Sequence, residues 1–151
     1  MKQYIVIAAS FLLLFSTACN SGDKESSKSE NDIDAARNFI RSALDGKFNE
    51  AKTFLFTDSS NTEYFDAYQR NYQRIDPDTK RSYREATINI HNVNPVNDST
   101  TIVIYSNSYK NDHDTLRVLK RKSQWLVDLK YLFDHDDTLN NATQNKKDTL
   151  K

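Results

Sequence analysis

Apolar residues fall in three rhythms along this 151-residue chain. Tyr4 to Phe15 is an apolar run broken only by Ser10. From Ile33 the spacing becomes three and four, the period of a helix with one buried face. From Ala86 it becomes two, the period of a strand whose two faces differ. Two polar stretches separate these parts from their surroundings. Asn20 to Asn31 contains no apolar residue, and His135 to Lys151 is polar with Leu139 and Leu150 isolated.

The helical rhythm predicts a first helix capped by Asn31 or Asp32, with Ile33, Ala36, Ile40, Ala43 and Leu44 on one stripe and Phe39 widening it. Gly46 is placed to stop it in a left-handed cap. A second, short helix fits Phe48 to Phe56 and buries Ala51, Phe54 and Leu55. Ser60-Asn61-Thr62-Glu63 has the capping-box spacing and opens a third helix with an aromatic stripe of Tyr64, Phe65, Tyr68 and Tyr72. Asp76-Pro77 ends or kinks it, because a residue before proline disfavours the helical region. Asp78 to Arg84 adds a further turn or two.

The strand rhythm places Ile88 and Ile90 on one face and Thr87, Asn89 and His91 on the other. Asn94 to Asp98 reads as a turn, and Thr100 to Ser106 as a β-branched strand. Thr115 to Lys120 and Gln124 to Tyr131 complete a meander. In the last strand Trp125, Val127, Leu129 and Tyr131 face one way, with Leu126, Asp128 and Lys130 facing the other. The expected architecture is α+β, with N-terminal helices packed on a four-stranded antiparallel meander in a cone-like arrangement.

The N-terminal run has a basic start at Lys2, twelve positions from Tyr4 to Phe15, and small residues leading into Cys19, the only cysteine. A membrane span needs about 20 apolar residues, so the run is too short to be one. It has the layout of an export signal. It resembles a bacterial lipoprotein signal, which implies cleavage between Ala18 and Cys19 and a lipid on the Cys19 sulfur. That assignment removes an unpaired thiol from an oxidising compartment. Ser16 stands where the lipoprotein pattern usually has leucine. Asn20 rather than aspartate after the lipidated cysteine points to the outer membrane. The chain then divides into a signal peptide (1–18), a tether (19–31), one domain (32–134) and a polar tail (135–151).

Within the domain, the first helix, the Asp45-Gly46-Lys47-Phe48-Asn49-Glu50-Ala51 turn into a second helix, the C-terminal meander and the Lys122-Ser123-Gln124-Trp125-Leu126-Val127 hairpin resemble nuclear-transport-factor-2-like domains. More narrowly they are similar to the lumazine-binding-type, cystatin-like domains of small bacterial lipoproteins. The superfamily holds both enzymes and binding modules, so the resemblance implies a fold rather than an activity.

Composition narrows the chemistry. The 21 Lys+Arg and 21 Asp+Glu become 20 against 21 once Lys2 is removed, a formal charge of −1 that gives no footing for nucleic acid. The domain contains one glycine, Gly46, which excludes phosphate-cradling glycine loops. No zinc, P-loop or serine-hydrolase motif is present. His91, His113 and His135 sit on a polar face and in acidic loops and predict no metal or cofactor site. Isomerase-like relatives use an aspartate base and a tyrosine donor in an apolar cone. Here Asp128 has the wrong parity relative to Trp125 and Val127, which leaves Asp66 as the loose candidate and no catalytic assignment. Tyr64, Tyr68, Tyr72, Trp125 and Tyr131 are the pocket candidates, because rings with polar edges suit a small apolar or planar ligand. The reading is a lipid-anchored envelope protein with a non-catalytic domain that binds a small apolar ligand or another envelope protein. An isomerase-like enzyme is the alternative.

Overall fold

The computed structural model describes residues 29–132. Ala18, Cys19, the expected signal peptide, most of the expected tether, the last two residues of the expected domain and the expected tail from residue 135 lie outside the described residues. Four helices come first and four strands follow, so the architecture is α+β.

Helix α1 spans Asp32–Leu44. Asn31 caps it, its side-chain oxygen accepting from Asp34 N at 2.9 Å, and Asp32 and Asp34 place negative charge at the positive end of the helix dipole. Ala35, Ala36, Phe39, Ile40, Ala43 and Leu44 are buried. The helix ends in a Schellman motif: Gly46 N donates to Ala43 O at 3.1 Å and Lys47 N to Ser42 O at 2.8 Å. Gly46 has φ +74°, and a Cβ there would lie 2.9 Å from Tyr72 Cε1. Both conditions call for glycine, and the Tyr72 hydroxyl completes the joint by donating to Leu44 O at 3.0 Å.

Helix α2, Phe48–Ala51, passes into a single 3-10 turn at Lys52–Phe54 and stops sooner than the apolar spacing suggests. Leu55 leaves the helix to pair in parallel with Val127, and Phe56 N donates to Val127 O at 2.8 Å. Helix α3 spans Ser59–Arg74. Its cap is Asp58 rather than Ser60: the Asp58 carboxylate accepts from Asn61 N at 2.8 Å and forms a salt bridge with Lys130. Ser60 therefore falls inside the first turn. Helix α4, Pro77–Glu85, is a full helix because Pro77 suits the first helical position and Asp76 accepts from Asp78 N at 3.0 Å and Thr79 N at 2.9 Å. Arg41 of α1 fastens its end, donating to the carbonyls of Ala86 (2.8 Å), Tyr83 (3.1 Å) and Arg84 (3.2 Å).

The two capping carboxylates make stability depend on acid. The hydrogen bond from Lys130, followed by that from Asn61 N, holds the Asp58 carboxyl below its ordinary value of 3.8, and the Thr79 hydrogen bonds do the same for Asp76. A depressed folded-state pKa gives stability that is complete above the unfolded value and lost as pH falls through the folded one. Thermal midpoints are therefore expected to hold steady above about pH 5 and to fall below about pH 4. Asp58→Asn, which keeps a capping oxygen but cannot titrate, should flatten part of that fall. An unchanged acid slope in the variant would remove Asp58 from the account.

The strands β1 (Ile88–Asn97), β2 (Thr100–Asn107), β3 (Asp114–Arg121) and β4 (Gln124–Asp128) pair in sequence order as an antiparallel meander. Of the turn expected at Asn94–Asp98, the first four residues are instead the end of β1. Pro95 is tolerated because β1 is an edge strand and the register shifts between Pro95 and Asn97. The turn is Asp98-Ser99, held by Asn97 Oδ1 accepting from Ser99 N at 3.0 Å. β4 ends at Asp128 and does not run to Tyr131. Asn61 Oδ1 accepts from Leu129 N at 2.7 Å and Asp128 Oδ1 from Lys130 N at 3.2 Å, which bends the chain out of the ladder.

α1 lies across one face of the sheet, where Val103, Leu116, Val118 and Val127 are buried. A smaller cluster joins Ala35 and Ala36 to Val103 and Val118, with Ile90 and Trp125 against it. The larger one joins Phe39, Ile40, Phe54, Leu55, Phe65, Leu116 and Val127.

Candidate functional site

The two clusters do not fill all the space between the helices and the sheet. Beside the larger one lies an apolar cavity of about 80 Å³. α1 contributes Phe39, Ile40, Ala43 and Leu44; α3 contributes Tyr64, Phe65 and Tyr68; Tyr105, Leu116, Leu129 and Leu132 close the sheet side. An engineered apolar cavity of about 150 Å³ takes up a benzene ring, so this one is the size of a small alkyl group rather than of a whole metabolite.

Next to it is a wider vestibule of about 330 Å³. Leu44, Tyr68 and Tyr105 line both spaces. The vestibule adds Asn71, Tyr72 and Ile75 from the end of α3, Tyr83 from α4, and Asn107, Lys110 and Asp114 from the β2–β3 connection. An apolar recess thus opens beneath a rim of hydroxyls, amides and one charge of each sign. The rings are braced from behind by Phe48, whose edge meets Phe65, Tyr68 and Tyr72 at centroid distances of 6.1, 6.0 and 5.2 Å.

Burial pushes the Tyr105 hydroxyl far above the ordinary phenol value, with the neighbouring Asp114 carboxylate adding to the shift and accepting its hydrogen bond. Tyr68 moves the same way, first through desolvation and then through Tyr83, Tyr72 and Asp114. Both hydroxyls therefore stay protonated and serve as donors. Tyr68 keeps 38% of its surface exposed and faces the opening.

The five sequence-chosen aromatics separate. Tyr64 and Tyr68 line the cavity, and Tyr68 and Tyr72 the vestibule. Trp125 does not reach either: it packs on the Ala35, Ala36, Val103 and Val118 cluster with Lys120 Nζ 5.5 Å from its ring centre. Tyr131 stands beside Arg117, 5.6 Å from the guanidinium, because β4 ends three residues before it. Asp66 lines neither space. Asp128 keeps the parity expected of it, pairing with Arg117 while Val127 pairs with Val118. It is nevertheless only 1% exposed, because the start of α3 folds over the sheet edge and brings Asn61 Nδ2 to 3.1 Å. Its oxygens are occupied by Arg117, Asn61 and the backbone, so its role is to join elements.

Sequence reasoning passed over Tyr105 and Asp114. Both were within reach of strand parity: Tyr105 lies two residues from the buried Val103, and it pairs with Asp114 across β2 and β3. That pairing aims both side chains at the helix side of the sheet. Among the described residues no group of three or more His, Cys, Asp or Glu side chains could hold a metal ion, and no helix is long and apolar enough to cross a membrane.

No protein-family model matches the chain, and no curated protein matches it either. A solved structure of an NTF-2-like protein of unknown function from Shewanella oneidensis MR-1 is similar, at 15% identity over 63% of this chain and 89% of that one, with a TM-score of 0.47.

Proposed function

We propose that this is a lipid-anchored envelope protein whose nuclear-transport-factor-2-like domain binds a small ligand with a planar polar part and a short apolar substituent. The observation that supports the reading is the pairing of an apolar recess with a tyrosine-rich vestibule that shares three of its walls. Ligand sites usually combine a mostly apolar surface with a few placed polar groups. The alkyl-sized recess takes the substituent, and the hydroxyls of Tyr68 and Tyr105 donate to the planar part. The helix-then-meander order and the Gly46 turn support the domain assignment.

Titration of the purified chain with 2-naphthol, followed by the probe's own fluorescence, tests the site. Saturable one-to-one binding, weakened at least tenfold by Tyr105→Phe or Tyr68→Phe, is the expected result. Equal binding in both variants would move the ligand elsewhere.

The anchor rests on the N-terminal sequence and has its own test. Cys19→Ala is expected to shift the protein from the membrane fraction to the soluble fraction and to remove the mass of the lipid. Two or more acyl chains hold a protein far more durably than one. A wild-type chain found unmodified and soluble would end this part of the reading.

The isomerase-like alternative draws on Asp114, which lies against the Tyr105 hydroxyl at the vestibule. It requires Asp114 as a proton carrier, so Asp114→Asn should abolish turnover of a β,γ-unsaturated ketone while 2-naphthol still binds. Absence of turnover in the wild-type chain leaves the binding reading in place.

A further inference from the structure

On the sheet face away from the cavity, two histidines that are distant in sequence come together. His91 belongs to β1 and is the extra residue of a bulge: Ile90 pairs with Tyr105 and Asn92 with Ile104, which leaves His91 without a partner of its own. His113 immediately precedes β3. β2 runs between these two strands. Ser106 of β2 pairs with Asn89 on one side and, next to the Tyr105–Asp114 pair, lies beside His113 on the other. Tyr105 and Asp114 line the vestibule, so alternation turns Ser106 and His113 to the opposite face.

The side chains meet above the middle strand. The two imidazole rings lie 4.1 Å apart, centre to centre, at an interplanar angle of 33°. His91 Nε2 is 2.8 Å from Ser106 Oγ. Ser106 is completely buried beneath them, while both histidines are exposed to solvent. A small residue on the middle strand is what allows side chains from strands on either side of it to close over it, and the bulge aims His91 inward across the sheet.

We propose that His91 and His113 form a two-imidazole binding site for a divalent transition metal of the copper and zinc class, with Ser106 as the positioning residue. Such metals bind imidazole nitrogen at about 2.0–2.1 Å, which asks for two ring nitrogens close together on rings opened from parallel. The stacked pair supplies that arrangement with a small side-chain rotation. The tautomer that binds the metal is the one in which Ser106 Oγ accepts the Nε2 proton of His91 and the lone pair is on Nδ1, the way an outer hydrogen bond fixes the tautomer of a ligating histidine. With two protein ligands, water takes the remaining positions and the metal exchanges readily. Among borderline divalent ions Cu²⁺ binds such nitrogen sites most strongly. The sequence reading, which placed His91 on a polar face and His113 in a solvated loop, could not bring them together, because 21 residues and one whole strand separate them.

The test uses the untagged full chain and Cu²⁺ alone, with calorimetry for stoichiometry and electron paramagnetic resonance for the ligands. One equivalent is expected to bind with nitrogen hyperfine structure from two imidazoles. His91→Ala and His113→Ala should each weaken binding at least tenfold and reduce the spectrum to one imidazole, while His135→Ala leaves both unchanged. Both substituted positions are exposed, and an unaltered far-ultraviolet spectrum checks that the fold persists. Failure of the wild-type chain to bind, loss of binding only in His135→Ala, or a spectrum unaffected by either single variant would each overturn the proposal.

Discussion

Replacing Asp128 by alanine is expected to destabilise the domain by about 3 kcal/mol, more than any single surface change. The carboxylate is 1% exposed and is held from three directions. Arg117 donates to Oδ2 through Nη2 at 2.7 Å and Nε at 3.1 Å, Asn61 Nδ2 to Oδ1 at 3.1 Å, and Lys130 N to Oδ1 at 3.2 Å. Alanine would leave a guanidinium that is 30% exposed without its counter-charge and the fully buried Asn61 amide without an acceptor. An unpaired buried polar group costs its desolvation in full, whereas the intact bond contributes only about 1 kcal/mol. Thermal midpoints should fall by roughly 15 °C in a domain of this size. Asp128→Asn, which keeps an acceptor for Asn61, should lose about half as much. The expected signature is non-additivity: Asn61→Ala costs less on top of Asp128→Ala than alone, because the first substitution has already broken the shared bond and only the bond from Leu129 N to Asn61 Oδ1 remains to lose. Full additivity in that double-mutant cycle would show that Asp128 and Asn61 act separately.

Ala43→Leu is expected to divide stability from ligand binding. Ala43 lies on α1, is buried, and lines the apolar recess. Leucine adds three carbon atoms on a helix face where its side chain is directed toward a cavity of about 80 Å³. Filling an existing void usually stabilises by about 0.5–2 kcal/mol, and leucine also suits the helix. The urea midpoint should therefore hold or rise. A ligand whose alkyl substituent needs the recess would lose that seat, so its affinity should fall at least a hundredfold. 2-Naphthol, which carries no such substituent, should keep its place in the vestibule. Weakened binding of both alkylated and bare naphthols would merge the two spaces into one site; equal retention of both would make the recess a packing defect.

Much of the frame was legible along the chain for identifiable reasons. α1 carries a complete set of local signals: a capping side chain at Asn31, acids in its first turn, one apolar stripe and a glycine beyond its end. In β4, simple alternation puts Val127 on the inward face and Asp128 on the other. Where the reading erred, a distant residue outweighed the local pattern. Ser60 has the spacing of a cap, yet Asp58 holds the position because Lys130, 72 residues away, supports its carboxylate. The second helix closes early because Leu55 finds an edge of β4. β4 closes early because Asn61 takes its next backbone N–H.

The candidate site follows the same division. Tyr64, Tyr68 and Tyr72 share a helical face, and that face turns to the open space. Trp125 satisfied every local criterion for a pocket residue and instead packs under α1, since parity gives the face of a sheet but not which part of the face a helix covers. Tyr105 and Asp114 meet through the β2–β3 register, and His91 and His113 through a bulge and a buried serine.

The order of helices and strands and the apolar stripe of α1 were settled by residue pattern, because periodicity and capping act over a few neighbours. The whereabouts of the cavity, the burial of Asp128 and the meeting of the two histidines were settled by folding, because register, strand ends and helix placement depend on contacts between residues far apart in the chain. The vestibule above Tyr105 could not have been drawn without them.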